Sequence, residues 1–256
     1  MTTDSPVSVT REGDLAWVTI DNPPVNATST AVRAGLARAV SDVQGARVAI
    51  LSCAGKTFVA GGDMSEFDAP PVEPHLPDVV QMIEDSVTPF VAVMQGNVLG
   101  GGLEIALACD HRILVGDEAR LGFPEVQLGL HPGLGGTFRL TNLIDPVEAM
   151  QMMLTGKSAH DRKAKKLGII DALVPERHVD AAIAAAASGR LDHEGSFRAS
   201  ALRTRAARSL ATTRMRSESE KKAPRAHFPA PFALIDLWED HGGDADAMQQ
   251  AEIASF

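Results

Sequence analysis

The chain has no tyrosine, only two cysteines and an aromatic content of 4%. The missing phenol excludes tyrosine chemistry and nothing else. Cys53 and Cys109 both sit among apolar neighbours, which suits buried thiols in a reducing compartment better than a disulfide framework, and two isolated cysteines make no zinc site. No apolar run approaches the ~18 residues of a membrane span. The opening MTTDSPVSVT has no basic stretch followed by an apolar one, so no signal peptide is evident. A surplus of positive charge is also lacking: the net charge is −9 and the pI near 5.3, which disfavours a duplex nucleic-acid binder. These absences describe a soluble cytoplasmic protein that acts neither on nucleic acid nor in a membrane.

What is present is an ordinary globular composition, 45% apolar and 22% charged over 256 residues, enough for a core of useful size. The 22 glycines are unevenly spread: residues 1–95 hold six, 96–136 hold ten and 137–256 hold six. The middle stretch therefore calls for backbone freedom or close backbone approach. Charge is uneven too. Residues 190–225 carry ten Lys/Arg against four acids, so that segment is +6 and the remainder −15. It reads as a solvated helical face or as a surface for an anionic ligand or a partner subunit.

Short apolar runs punctuated by turn residues predict strands at Val7–Val9, Leu15–Ile20, Val48–Leu51, Phe90–Val93, Ile113–Val115 and Asp171–Val174. Helical spacing of Val32, Leu36, Val40 and Val43 behind Thr28 or Ser29 predicts a capped helix, and Val79–Val87 and Leu103–Cys109 predict two more. From Thr137 the pattern is nearly all helical: Thr137–Leu143, Pro146–Leu154, Ala159–Leu167, His178–Ala187 and Ser196–Leu210. A layered α/β structure follows, with active groups on the loops after strands, and a boundary near residue 190 divides a core (1–190) from a C-terminal helical region (191–256).

Three segments carry candidate chemistry. Phe58–Glu66 places Gly61-Gly62-Asp63 after a strand, where backbone amides can face a ligand; Asp63 and Glu66 have the spacing of a capping box, which leaves the Gly62 amide as the functional group. Gly96–Glu104 opens an apolar helix with three glycines, whose free N–H groups favour negative charge; Glu104 fits either a site or a first-turn acid that complements the helix dipole. Leu121–Thr137 sets Glu125 between a proline and an apolar run, where partial burial raises a carboxyl pKa and suits general acid–base work; the alternative is a loop acid in solvent. Together the segments offer two sets of backbone donors, as an enolate or oxyanion requires, and two carboxylates, as moving a water and a proton requires. No G-x-G-x-x-G with a following acid, no P-loop, no G-x-S-x-G and no H-E-x-x-H occurs, and the eight histidines lack ligand spacing.

The order Asn22-Pro23-Pro24-Val25-Asn26-Ala27, Ala60-Gly61-Gly62-Asp63, Gly100-Gly101-Gly102-Leu103-Glu104, Phe123-Pro124-Glu125 and Pro132-Gly133-x-Gly135-Gly136-Thr137 resembles the crotonase (enoyl-CoA hydratase/isomerase) superfamily over residues 6–190. It is most similar to the N-terminal hydratase module of fused hydratase–3-hydroxyacyl-CoA dehydrogenase enzymes of fatty-acid β-oxidation, and Met215–Phe256 resembles that module's C-terminal helices. The resemblance implies a spiral of ββα units, C-terminal helices that build a homotrimer or a dimer of trimers, an acyl-CoA thioester substrate, and no metal or other cofactor, coenzyme A being part of the substrate. It implies that the amides of Gly62 and Gly101 hold the thioester oxygen and that Glu104 and Glu125 are the catalytic pair. Ala60, Gly61, Asp63 and Met64 would line the CoA path and Lys56 would contact a phosphate. His131 stands where the resemblance leads one to expect an apolar residue. The expected reaction is hydration of a 2-enoyl-CoA; isomerisation of a 3-enoyl-CoA and acyl-CoA binding without turnover are the alternatives.

Overall fold

The computed structural model describes residues 5–66, 70, 72–191, 201–202, 204–222 and 224–255. Two sheets run side by side. The larger is six-stranded in the order β1 (Val7–Glu12), β2 (Leu15–Ile20), β3 (Val48–Cys53), β5 (Phe90–Met94), β7 (His111–Val115), β10 (Ala172–Val174). The smaller has the order β4 (Val59–Ala60), β6 (Asn97–Leu99), β8 (Arg120–Gly122), β9 (Ala159–His160). The hairpin β1–β2 is antiparallel, and β2, β3, β5, β7 and β10 then pair in parallel.

The chain climbs as a spiral. Each turn lays one strand in the large sheet and a short one in the small sheet, then adds a helix: β3–β4 before α2 (Leu76–Glu84), β5–β6 before α3 (Gly101–Ala108), β7–β8 before α4 (Gly136–Leu143). The central strands are buried on both faces, as parallel strands covered on each side must be. Ala49, Leu51 and Ala92 face the main core with Leu36 of α1 (Thr30–Asp42), whereas Val48, Ile50, Val91 and Ile113 pack against Ala182, Ile183 and Ala186 of α7 (Val179–Ala187). The hydroxyl of Ser29 caps α1 by accepting from the Val32 amide.

The predicted strands and helices of the first half are present with shifted ends. Helix α2 starts at Leu76 and ends at Glu84, ahead of the predicted Val79–Val87: Pro77 suits a first turn, and Val87 is 98% exposed. The capping box at Asp63 and Glu66 is only half made. Asp63 accepts from the Ser65 amide at 3.0 Å, but Glu66 turns away to the start of α1, where it accepts from the Thr30 amide at 2.7 Å and pairs with Arg33 at 2.7 Å.

Helices α5 (Pro146–Thr155) and α6 (Asp161–Leu167) follow α4, and three helices close the chain: α8 (Arg205–Lys222), α9 (Ala230–His241) and α10 (Ala245–Ser255). Of the predicted helix Ser196–Leu210, residues 196–200 and 203 lie outside the described residues, and 205–210 open α8. The basic stretch is partly neutralised within the chain. Arg205 pairs with Asp240, Arg216 with Asp236 and Glu239, and Arg225 with Asp236, all across α8 and α9 or the turn between them. Met215, Leu234, Ile235, Trp238 and Met248 of these helices are buried in the main core. Among the described residues, no helix is long and apolar enough to cross a membrane.

Candidate active site

Strand register assembles the site. In the small sheet Ala60 pairs with Leu99 and Leu99 with Gly122. The loops that leave these three strands therefore start level with one another, at roughly 4.8 Å per strand. Gly62, Gly101 and Glu125 follow two or three residues beyond those pairs, so segments far apart in sequence open onto one cavity of about 750 Å³. Ala60, Gly61, Gly62, Asp63, Met64, Gly101, Glu104 and Glu125 all line it. Lys56 does not; it is exposed on the turn between β3 and β4. The apolar wall comes from Leu76, Pro77, Leu128, Leu130, Leu134 and Ile253.

The amides of Gly62 and Gly101 donate to no group among the described residues. Gly101 opens α3, where a helix leaves its first N–H groups without internal partners and the helix dipole adds partial positive charge. Gly100 precedes it at φ 54°, in the left-handed region that glycine tolerates, and a β-carbon there would stand 2.6 Å from Glu125 Oε1.

Glu104 lies on the first turn of α3 and is 2% exposed. Its Oε1 accepts from the amides of Leu134 at 2.9 Å and Gly136 at 3.0 Å. Glu104 is thus a first-turn acid of α3 that also lines the cavity. Burial raises its pKa to about 7 against the opposing pull of those amides and of Arg139. Glu125 starts a short 3-10 turn, Glu125–Leu128, behind Pro124. Burial, reinforced by the charge of Glu104, pushes its pKa up to about 8, and its Oε2 is buried without a hydrogen-bond partner. Two carboxyls that repel one another release their protons in sequence. Near neutrality the pair passes through a state in which one is ionised and the other protonated.

Asp63 is held below the usual carboxylate range by hydrogen bonds from the Ser65 hydroxyl and amide. Arg33 also faces the cavity, but its guanidinium is committed to Glu66 and to the carbonyls of Thr28 and Pro74. His131 is buried beside the turn 132–136, its Nδ1 donating to the Pro132 carbonyl at 2.7 Å and its Nε2 bonded to Ser255 Oγ at 3.1 Å. Cys53 and Cys109 are buried thiols with raised pKa values, the latter pushed to about 12 by burial. Among the described residues no three His, Cys, Asp or Glu converge as a metal site.

Two structural elements of the site were not foreseen. One is the small sheet, whose strands of two or three residues carry no readable period. The other is the part played by the last of the expected C-terminal helices, which brings Ile253 to the cavity and a third buried carboxyl, Glu252, to the turn that holds Glu104.

Two amides at the mouths of neighbouring loops and two carboxyls with raised pKa values, one buried and one partly buried, share this cavity. The family model for enoyl-CoA hydratase/isomerase matches residues 10–223, and the chain belongs to that family. It is 40% identical over 181 residues to the fatty acid oxidation complex subunit alpha of Vibrio campbellii, an alignment covering 64% of this chain and 25% of that protein. It is 34% identical over 260 residues to a peroxisomal fatty acid beta-oxidation multifunctional protein of Arabidopsis thaliana, covering 93% of this chain and 35% of that protein. The chain thus spans about a quarter to a third of the length of these relatives. Among solved structures, the enoyl-CoA hydratase from Bacillus anthracis matches with a TM-score of 0.66 and 29% identity, over 72% of this chain and 76% of that one.

Proposed function

We propose that the chain adds water reversibly across the 2,3 double bond of a 2-enoyl-CoA to give a 3-hydroxyacyl-CoA, the activity expected of a β-oxidation hydratase. The observation that carries this reading is the pairing of Glu104, buried, and Glu125, partly buried, both with raised pKa values, on the cavity that Gly62 and Gly101 also line. The amides take the thioester oxygen and stabilise the enolate-like charge; losing one such donor costs roughly 2.7–4 kcal/mol of barrier. Glu104, whose Oε1 accepts from two backbone amides, carries the negative charge and accepts a proton from water as the water oxygen bonds to C3. Glu125, which burial and the Glu104 charge keep protonated, delivers its proton to C2. Proton exchange with water then restores both groups.

Ala60, Gly61, Asp63 and Met64 are assigned to the CoA path on the same cavity wall, and Lys56, outside it, to a phosphate of the CoA tail. The chemistry draws on side chains and backbone alone, with no metal or redox cofactor. The same reading includes a homotrimer or dimer of trimers, a core ending near residue 190 followed by a helical region, and a cytoplasmic location, where a reducing medium suits the two free thiols. Relatives such as the Arabidopsis protein are peroxisomal.

The test follows loss of conjugated enoyl-thioester absorbance with crotonyl-CoA. Glu104→Gln and Glu125→Gln are each expected to lower kcat by about 10²–10⁴-fold. Wild-type rates in both would refute the assignment. A 3-enoyl-CoA supplied in parallel separates hydration from isomerisation, since only hydration adds a hydroxyl. Light scattering on the purified chain reads the oligomer.

A further inference from the structure

Glu252, on the last helix, is 0% exposed and does not line the cavity, although the next residue, Ile253, does. Its Oε2 accepts from the Gly135 amide at 2.7 Å. Gly135 is the middle residue of the turn whose outer amides, Leu134 and Gly136, hold Glu104. Successive amides of this turn thus go alternately to a cavity carboxyl and to a carboxyl of the C-terminal helix. The helix is anchored at the same turn a second time. Because a carbonyl only accepts, His131 Nδ1 donates to Pro132, so in the neutral ring Nε2 accepts from the Ser255 hydroxyl. Met248, one helical turn before Glu252, is fully buried and fixes the helix against the core.

We propose that Glu252 is a positioning residue for Glu104: by gripping the middle amide of the Leu134–Gly136 turn, it aims the two outer amides at the carboxylate that activates water. The C-terminal helix is then part of the catalytic apparatus without touching the reacting atoms. The proposal rests on the hydratase reading above. The groups that act on Glu252 are Glu104 from α3, the Thr137 hydroxyl and Arg139 from α4, and the Gly135 amide. Thr137 Oγ1 and Glu252 Oε1 complete no hydrogen bond of good geometry, yet the hydroxyl is near enough to favour the ionised carboxyl. The charge of Glu104 opposes that ionisation, and by reciprocity an ionised Glu252 opposes that of Glu104.

The test is steady-state hydration of crotonyl-CoA by the whole chain carrying Glu252→Ala or Glu252→Gln, from about pH 6 to about pH 9, bracketing the titrations. Alanine removes the acceptor and is expected to lower kcat by the order of tenfold to a hundredfold with KM nearly unchanged, the mark of a misplaced catalytic group. Glutamine keeps an acceptor oxygen for Gly135. It is expected to restore kcat to within about threefold and to leave the acid limb of the kcat/KM profile in place, since a carboxyl protonated below about pH 8 puts no charge beside Glu104 there. Wild-type kcat in Glu252→Ala, or equal losses in both variants, overturns the proposal. Should the alanine variant fail to fold, Glu252→Asp, whose shorter side chain draws the oxygen away from Gly135, replaces it with the same expected loss of kcat, and wild-type kcat in that variant overturns the proposal. A wild type that does not hydrate crotonyl-CoA refutes the functional reading and this inference with it; an active wild type with an indifferent Glu252 refutes only the inference.

Discussion

Glutamates wholly or partly buried meet opposite fates in two regions of this molecule. Between α8 and α9, Glu239 accepts from the Thr212 hydroxyl at 2.7 Å and pairs with Arg216 at 2.6 Å, and its pKa is lowered to about 2, the Thr212 hydrogen bond being the largest cause. Around the cavity, burial dominates instead: Glu104 rises to about 7, Glu125 and Glu252 to about 8. The difference lies in the supply of donors. Glu239 has a hydroxyl and a guanidinium, Glu104 two amides, Glu252 one, and Glu125 only its own amide. A fold that wanted only stability would treat all four alike; deep burial with few donors holds Glu104, Glu125 and Glu252 near neutral pH, where a carboxyl can exchange a proton.

The contrast can be broken most severely by crowding the site. A methyl group at Gly136 would stand 2.6 Å from Glu104 Oε1, and Gly136→Ala is expected to cut kcat by about a hundredfold or more while far-ultraviolet circular dichroism stays native. Breaking the other side affects stability, not rate. Glu239→Gln removes the charge that Thr212 and Arg216 serve, and denaturant unfolding at neutral pH should show a loss of about 2 kcal/mol with crotonyl-CoA turnover nearly unchanged.

A third change sharpens the comparison through pH. A carboxyl whose folded pKa is raised binds its proton more tightly in the native state, so stability falls as pH rises from the unfolded value of 4.5 toward the folded value of about 8 for Glu125. Glu239 has the reverse sign: its contribution is complete above the unfolded value of 4.5 and is lost as pH falls toward about 2. Glu125→Gln is therefore expected to raise Tm by a few degrees above about pH 8 and to leave it unchanged near about pH 5. The smallest effect belongs to the exposed pair Arg214–Glu218, four residues apart on α8: Arg214→Ala should leave Tm and turnover unmoved, because solvent screens the pair.

The legible parts of this molecule were those with a period or a motif. Leu15–Ile20 and the stripe Val32, Leu36, Val43 stand as the alternation and helical spacing imply. Gly62, Glu104 and Glu125 were singled out by glycine clusters and flanking apolar residues and Gly101 by the family resemblance, and the register of the small sheet brings them together. That sheet itself was illegible, since Val59–Ala60 is too short to alternate. The basic stretch gave no hint of partners in α9, because the acids that neutralise it, Asp236, Glu239 and Asp240, lie 20 or more residues beyond most of their arginines. Glu252 was hidden for a related reason. It shares a helical face with Met248, but a glutamate on such a face reads as solvated until the turn that receives it is in place.

The poise of the site carboxyls is most directly measured by carbon-13 NMR titration of the glutamate side chains. The structure calls for three carboxyls that titrate near or above neutrality, each lost in turn in Glu104→Gln, Glu125→Gln and Glu252→Gln, and one near 2 that vanishes in Glu239→Gln. A wild-type spectrum in which every glutamate titrates in the ordinary carboxylate range would contradict it.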